Sequence, residues 1–139
     1  MAKVDLNCDM GEGMGDDAAM LTIVTRANVA CGFHAGDANH MHSTMRLAKQ
    51  HGVAVGAHPS FDDREGFGRR RMAVPIDELE RLVAYQVGAA AGIAAHVGTA
   101  LSHVKPHGAL SNMAEENAEL ACAIVRAVKG VDAGLAVMA

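Results

Sequence analysis

Ala27-Asn28-Val29-Ala30-Cys31-Gly32-Phe33-His34-Ala35-Gly36-Asp37 decides how this chain is read. The apolar run from Ala27 to Phe33 has the length and composition of a buried strand, and a helical pattern opens at Asp37. His34 and Asp37 stand just beyond the strand end. A strand that closes in polar side chains and hands over to a helix is how parallel α/β folds build a site. The arrangement recurs at Asp5 to Glu12, at Ala57-His58-Pro59-Ser60 and at Lys105-Pro106-His107-Gly108. Carboxylates, imidazoles and a lysine thus stand at four strand ends. The expected fold class is α/β, with a parallel, barrel-like sheet.

Working outward, Lys3 to Cys8 alternates, with Val4, Leu6 and Cys8 on one side and Asp5 and Asn7 on the other. The polar side faces water in a two-layer sheet and the interior mouth in a barrel; both readings stand at this point. Asp16 and Asp17 open a helix through Met20, Leu21 and Val24. Asp37 caps the next helix, which turns Met41, Met45 and Ala48 inward before Gly52 stops it. Val53 to Ala57 is a third strand, and Pro59 to Arg71 is too polar and glycine-rich to be anything but a long loop. Pro75, Asp77 and Glu78 start the longest helix, with Leu79, Leu82, Val83 and Gln86 at helical spacing. Gly88 and Gly92, one turn apart, predict a close approach by a neighbouring element. A strand over Ala100 to Val104, a helix from about Glu115 to Val128 and a strand over Leu135 to Ala139 complete the order βαβαβαβαβ. Such alternation implies a parallel sheet with helices outside. The fifth strand lacks its helix, so the barrel is expected to be incomplete at the C-terminus, with an edge that favours self-association.

Length and composition bound the function. The 139 residues are those of a single domain with a real core. A net charge of −4 without basic clusters argues against nucleic acid. Three cysteines without CxxC spacing argue for a reducing cytoplasm, and no basic-then-apolar leader opens the chain. The longest apolar stretch, Val87 to Leu101, is Ala- and Gly-rich and broken by His96, too weak to span a bilayer. No Walker A pattern and no GxGxxG occurs, and Ser60 and Ser111 lack a nucleophile elbow.

The chemistry-bearing residues each carry two readings. Asp5, Asn7, Asp9 and Glu12 suit a cation site or an acid–base pair, or else a solvated loop. His34 and His58, each directly after a buried strand, suit proton transfer or metal ligation, whereas His40 and His42 read as surface residues. Lys105 and His107 lie on a proline-stiffened turn where an ammonium can hold a carboxylate or phosphate. Among Arg64, Arg69, Arg70 and Arg71, one or two suit closure over an anion. Cys31 reads as a buried small hydrophobe, not a nucleophile.

Asp5-Leu6-Asn7-Cys8-Asp9-Met10-Gly11-Glu12-Gly13, the Ala27–Asp37 stretch, Gly56-Ala57-His58-Pro59-Ser60-Phe61 with Asp63-Arg64 and Gly66-Phe67-Gly68-Arg69-Arg70, and Val104-Lys105-Pro106-His107-Gly108-Ala109-Leu110 together resemble the LamB/YcsF family. The resemblance covers essentially the whole chain. It implies a distorted (β/α) barrel similar to the polysaccharide deacetylases. It also implies ATP-dependent opening of the 5-oxoproline lactam to L-glutamate together with 5-oxoprolinase B and C subunits. It carries over Asp5, Asp9, His34, His58, Lys105 and His107 as catalytic residues, and Asn7, Glu12, Asp37, Arg64 and Arg69 as substrate-binding ones. ATP is the implied co-substrate; a divalent metal, if one is used, falls to Asp9, His34 and His58. In two respects the chain departs from the family. Ser111 stands where members usually have tyrosine, and members continue past residue 139. Two rival readings remain: a stand-alone metal-dependent amide hydrolase, and a non-catalytic remnant that binds ligand or partner subunits.

Overall fold

The structure, a computed structural model, describes residues 4–138. Its elements are β1 (Asn7–Met10), α1 (Asp17–Met20), β2 (Arg26–Ala30), α2 (Ala38–Gln50), β3 (Ala54–His58), α3 (Ile76–Val97), β4 (Leu101–Val104), α4 (Gly108–Glu116), α5 (Ala118–Val131) and β5 (Ala136–Val137). The five strands form one sheet in the order β1-β2-β3-β4-β5, every neighbouring pair parallel. Each connection moves one step the same way. With right-handed crossovers, that winding puts successive helices on one face, as in a barrel wall, whereas a doubly wound sheet reverses its order midway. Among the described residues β1 and β5 are the two edges, so the sheet is an open arc of barrel-like wall. No helix of the described residues is long and apolar enough to cross a membrane.

One face of the sheet is the core. Met10, Ala27, Val29, Val55, Ala57 and Val104 are buried with Met41, Met45 and Ala48 of α2, as the pattern predicted. Leu79, Val83 and Val87 of α3 and Leu120, Ala123, Ile124 and Val128 of α5 join the same cluster. The opposite face is polar and carries Asn7, Asp9, Asn28, His58 and His103. A register shift between Val55 and Gly56 pairs Gly56 with His103, so β4 turns an imidazole onto this face. Gly56 has no side chain because a Cβ there would overlap the His103 ring.

Several boundaries differ from the sequence reading. β1 starts at Asn7, not Lys3, which lies outside the described residues; Val4 and Leu6 are exposed, and Leu6 is tied to Thr25 instead of packing inward. β2 stops at Ala30, because Gly32 N–H turns back to the Ala35 carbonyl. His34 therefore rides on a turn and does not follow the strand directly. α1 is one turn long, capped by Asp16. Gly88 and Gly92 face open space, so the expected close approach is absent among the described residues. The helix expected over 115–128 is two helices: α4 begins immediately after His107, and Asn117 ends it and caps α5 through the Glu119 and Leu120 amides. β5 is only Ala136–Val137 of the expected 135–139; Ala139 lies outside the described residues.

Candidate active site

The polar face of the sheet ends in a compact cluster at the strand C-termini. β1 supplies Asp9 and the turn after it Glu12; the turn after β2 supplies His34. β3 ends in His58, and the segment after β4 brings Lys105 and His107. The six residues come from four successive strand ends, which is why residues far apart in sequence meet here.

Asp9 sits at the centre of a charge network. Its Oδ1 accepts from Lys105 Nζ at 2.8 Å and from Asn28 Nδ2 at 2.9 Å. Its Oδ2 lies 3.4 Å from His58 Nε2. Burial alone would raise the Asp9 carboxyl, but the His58 hydrogen bond and charge, with Lys105 and Asn28, outweigh it and hold the group well below the usual carboxylate range. Asn28 also donates to Asn7 Oδ1 at 2.8 Å and accepts from His103 Nε2–H at 2.8 Å. Burial, then the nearby Arg26 charge, pushes His103 down to about 4 and keeps it neutral.

The imidazoles have their outward nitrogens fixed by acceptors. His58 Nδ1–H donates to the Lys105 carbonyl at 2.5 Å, and His107 Nε2–H to the Phe67 carbonyl at 2.8 Å. His34 Nδ1–H donates to Ser60 Oγ at 3.0 Å, whose own hydroxyl proton goes to the Phe61 carbonyl. The inward atoms are therefore His34 Nε2, His58 Nε2 and His107 Nδ1. His58 Nε2 and His107 Nδ1 are 3.0 Å apart, and His34 Nε2 is 3.1 Å from Glu12 Oε1. Each contact joins two acceptors unless a proton lies between them. Burial lowers His107 to about 4, with His34 and His58 adding to the effect against the Phe67 carbonyl. His107 is thus the neutral acceptor, and His58 the donor that also reaches Asp9.

Glu12, His34, His58 and His107 offer four donor atoms within 4.8 Å of one another, the set able to hold a metal ion. It differs from the expected set, since Glu12 and His107 enter and Asp9 is held by Lys105 and Asn28. The His34 and His107 rings stack 3.8 Å apart at 9°, so their in-plane lone pairs run side by side, and an ion taking both requires one ring to turn.

The remaining expected residues divide. Asn7 joins the network through Asn28. Asp5 does not reach the cluster; it binds Thr25 and Arg26 at the start of β2, the opposite end of the strands. Asp37 caps α2 through the Asn39 and His40 amides and pairs with the His40 ring. Arg64 clasps the Gly32 and Gly36 carbonyls at 2.7 and 2.6 Å and so shapes the turn that carries His34. Arg69 lies over the Phe67 ring, 5.4 Å from its centroid, and lines a cleft of about 390 Å³ with Asp9, His107, Gly108 and Asn112. Ser111 lines a separate apolar cleft with Pro106, Ile124 and Val137. Burial lifts the Cys31 thiol to about 12, in keeping with an inert core cysteine.

Sequence reasoning missed Asn28, His103, Ser60 and Gln86. Gln86, on the buried face of α3, exchanges two hydrogen bonds of 2.9 Å with the Ser60 backbone and thereby fixes the residue that orients His34. The available signal was a polar residue inside an otherwise apolar run, at Asn28 and at Gln86.

The match to the LamB/YcsF family spans residues 4–139. The chain is 57% identical over 139 residues to the 5-oxoprolinase A subunit of Rhodopseudomonas palustris, covering 96% of this chain and 55% of that protein. It is 55% identical over 144 residues to the 5-oxoprolinase A subunit of Azoarcus sp., covering 100% of this chain and 56% of that one. The crystal structure of a lactam utilization protein from Thermus thermophilus is similar at TM-score 0.95 and 48% identity, over 98% of this chain and 57% of that chain. The chain thus spans about half the length of the curated relatives it matches. A match across nearly every residue, with the same arc of parallel strands beneath the site, means that this chain belongs to the LamB/YcsF family.

Proposed function

We propose that this protein acts in ATP-dependent opening of the 5-oxoproline lactam to L-glutamate, as the A-type component working with 5-oxoprolinase B and C subunits. The observation that carries the reading is the proton-sharing cluster of Asp9, Glu12, His34, His58, Lys105 and His107. Its setting is a chain that resembles named 5-oxoprolinase A subunits along its whole length. Residues 1–139 are on this reading one partial domain, and its three free thiols suit a cytoplasmic site.

Opening the ring adds the hydroxyl of water to the lactam carbonyl carbon, breaks the ring C–N bond and delivers a proton to the departing nitrogen. The His58–His107 pair shares one proton between His58 Nε2 and His107 Nδ1. It is placed to give that proton to the departing nitrogen and to take its replacement from water on the lone pair so freed, with Asp9 beside His58. Lys105 keeps Asp9 ionised. ATP is assigned to the assembled complex, because this chain contains no Walker A sequence. The stand-alone metal-dependent reading is favoured by one observation, the four converging donor atoms. Stoichiometric metal in purified protein, with turnover that ignores ATP, would select it.

The test is glutamate release from 5-oxoproline and ATP by the chain with B and C subunits, beside a full-length relative in its place as control. Release by this chain supports the reading. Silence from the folded chain, with the control active, would leave it as a binding component only.

A further inference from the structure

Arg26, Arg70, Arg71, Arg81 and Arg126 each face a carboxylate, and Arg64 holds two backbone carbonyls. Among the described residues Arg69 and Arg46 have no such partner, and Arg46 lies on the exposed side of α2, away from the cleft. Arg69 lines the cleft whose other wall is Asp9 and His107. Asp9 does not take it up, since Lys105, Asn28 and His58 already surround that carboxylate.

Arg69 is exposed, and its guanidinium lies over the Phe67 ring. Phe67 has φ 54, the left-handed region that a side chain with a Cβ rarely adopts. In that conformation its carbonyl receives His107 Nε2–H and its ring lies under Arg69. One strained residue thereby sets the imidazole and the cation relative to each other. The following Gly68 leaves no room for a Cβ between His34 and His107, so the loop sits tight on the cluster. The cation–π contact reduces what Arg69 must lose to bind an anion.

We propose that Arg69 and Asn112 form the subsite for the carboxylate of a small cyclic-amide acid, with its amide directed to His107 and Asp9. This rests on the lactam reading and deepens it: Arg69, not Lys105 or Arg64, distinguishes an acid from a plain lactam. A planar guanidinium can pair with a carboxylate through two parallel hydrogen bonds, and the Asn112 amide supplies a further donor.

The test titrates 5-oxoproline, 2-pyrrolidinone and N-acetylglycine into the isotope-labelled chain, wild type and the Arg69→Ala, Arg69→Lys and Asn112→Ala variants, followed by amide NMR. 5-Oxoproline is expected to shift the Gly68, Gly108 and Asn112 amides and to bind Arg69→Ala about ten- to a hundredfold more weakly, with Arg69→Lys between. 2-Pyrrolidinone, which lacks the carboxylate, should bind wild type and variants alike. N-acetylglycine has the same two groups in an open chain. If it binds as tightly as 5-oxoproline and depends equally on Arg69, the subsite stands and the lactam reading fails. If 5-oxoproline binds every variant as it binds wild type, the subsite is overturned and the lactam reading stands. No binding of any probe to the folded wild type overturns it as well.

Discussion

The polar face of the sheet carries an acid paired with a cation at each end, and the two pairs behave differently. At the start of the strands Asp5 meets Arg26 at 3.2 Å, with the carboxylate side chain 64% exposed. At the strand C-termini Asp9 meets Lys105 at 2.8 Å, backed by Asn28 and by a His58 that is 1% exposed. Both carboxyls lie below their ordinary range, Asp5 through its Thr25 and Arg26 hydrogen bonds and Asp9 through the whole cluster against the cost of burial. The acid is the same residue type; its exposure and its neighbours are not. An exposed pair is screened and contributes little, whereas a pair joined to buried imidazoles has partners that lose heavily if it is broken.

Turnover in the complex should separate the ends most sharply. His58→Gln is expected to lower glutamate release by about 10²- to 10⁴-fold, the usual range for a lost acid–base group. Asp5→Asn should leave it within about twofold, on the same arithmetic. Full activity in His58→Gln, or loss in Asp5→Asn, would erase the distinction.

Stability offers a second contrast. Asp9→Asn should cost about 1–3 kcal/mol in urea unfolding, less than a fully buried pair because Asp9 is 36% exposed. Asp5→Asn should leave the midpoint almost unmoved. Between the two ends, Gly56→Ala pushes a methyl into the His103 ring and should cost about 1–3 kcal/mol. Gly88→Ala, where nothing lies near, should be neutral or stabilising by up to about 1 kcal/mol.

Acid sensitivity sharpens the comparison further. His103 and His107 titrate at about 4 in the folded chain, against 6.5 for the free side chain. Between those values the unfolded chain binds protons that the folded chain refuses, so stability falls as pH drops from about 6.5 to 4. Each group contributes at most about 1.4 kcal/mol per pH unit. The low Asp9 value extends the loss below the usual carboxylate range. Urea midpoints from pH 7 to 4.5 should decline, and His103→Gln should flatten part of the slope; an unchanged slope would mean that His103 is not held neutral. The smallest effect concerns the β5 edge. Among the described residues β5 is an edge strand with Val137 exposed, which predicts weak self-association of this chain, visible in light scattering and reduced by Val137→Lys.

How much of this was legible beforehand depends on the residue. His34, His58, Lys105 and His107 announced themselves because each punctuates an apolar run. Glu12 was visible as one acid of several, but its contact with His34 required two separate turns to fold against each other. Asp5 and Asp37 looked equally chemical and went elsewhere, to Arg26 and to the α2 N-terminus. A carboxylate near a strand or helix start serves whichever donor is closest, and linear spacing does not rank donors. α4 was missed because His107-Gly108 reads as a turn, although the helix begins there.

The sequence by itself determined the parallel α/β class, the strand order's raw material and the polar strand ends, since hydrophobic periodicity and glycine punctuation are local properties. Only the tertiary structure decided which acid joins which imidazole, that Asn28 and His103 complete the network, and that Arg69 has no carboxylate partner among the described residues and lines the same cleft as His107. Those facts depend on register, on a shifted pairing at Gly56 and on which atoms water still reaches, and none of the three is a property of neighbours in the chain.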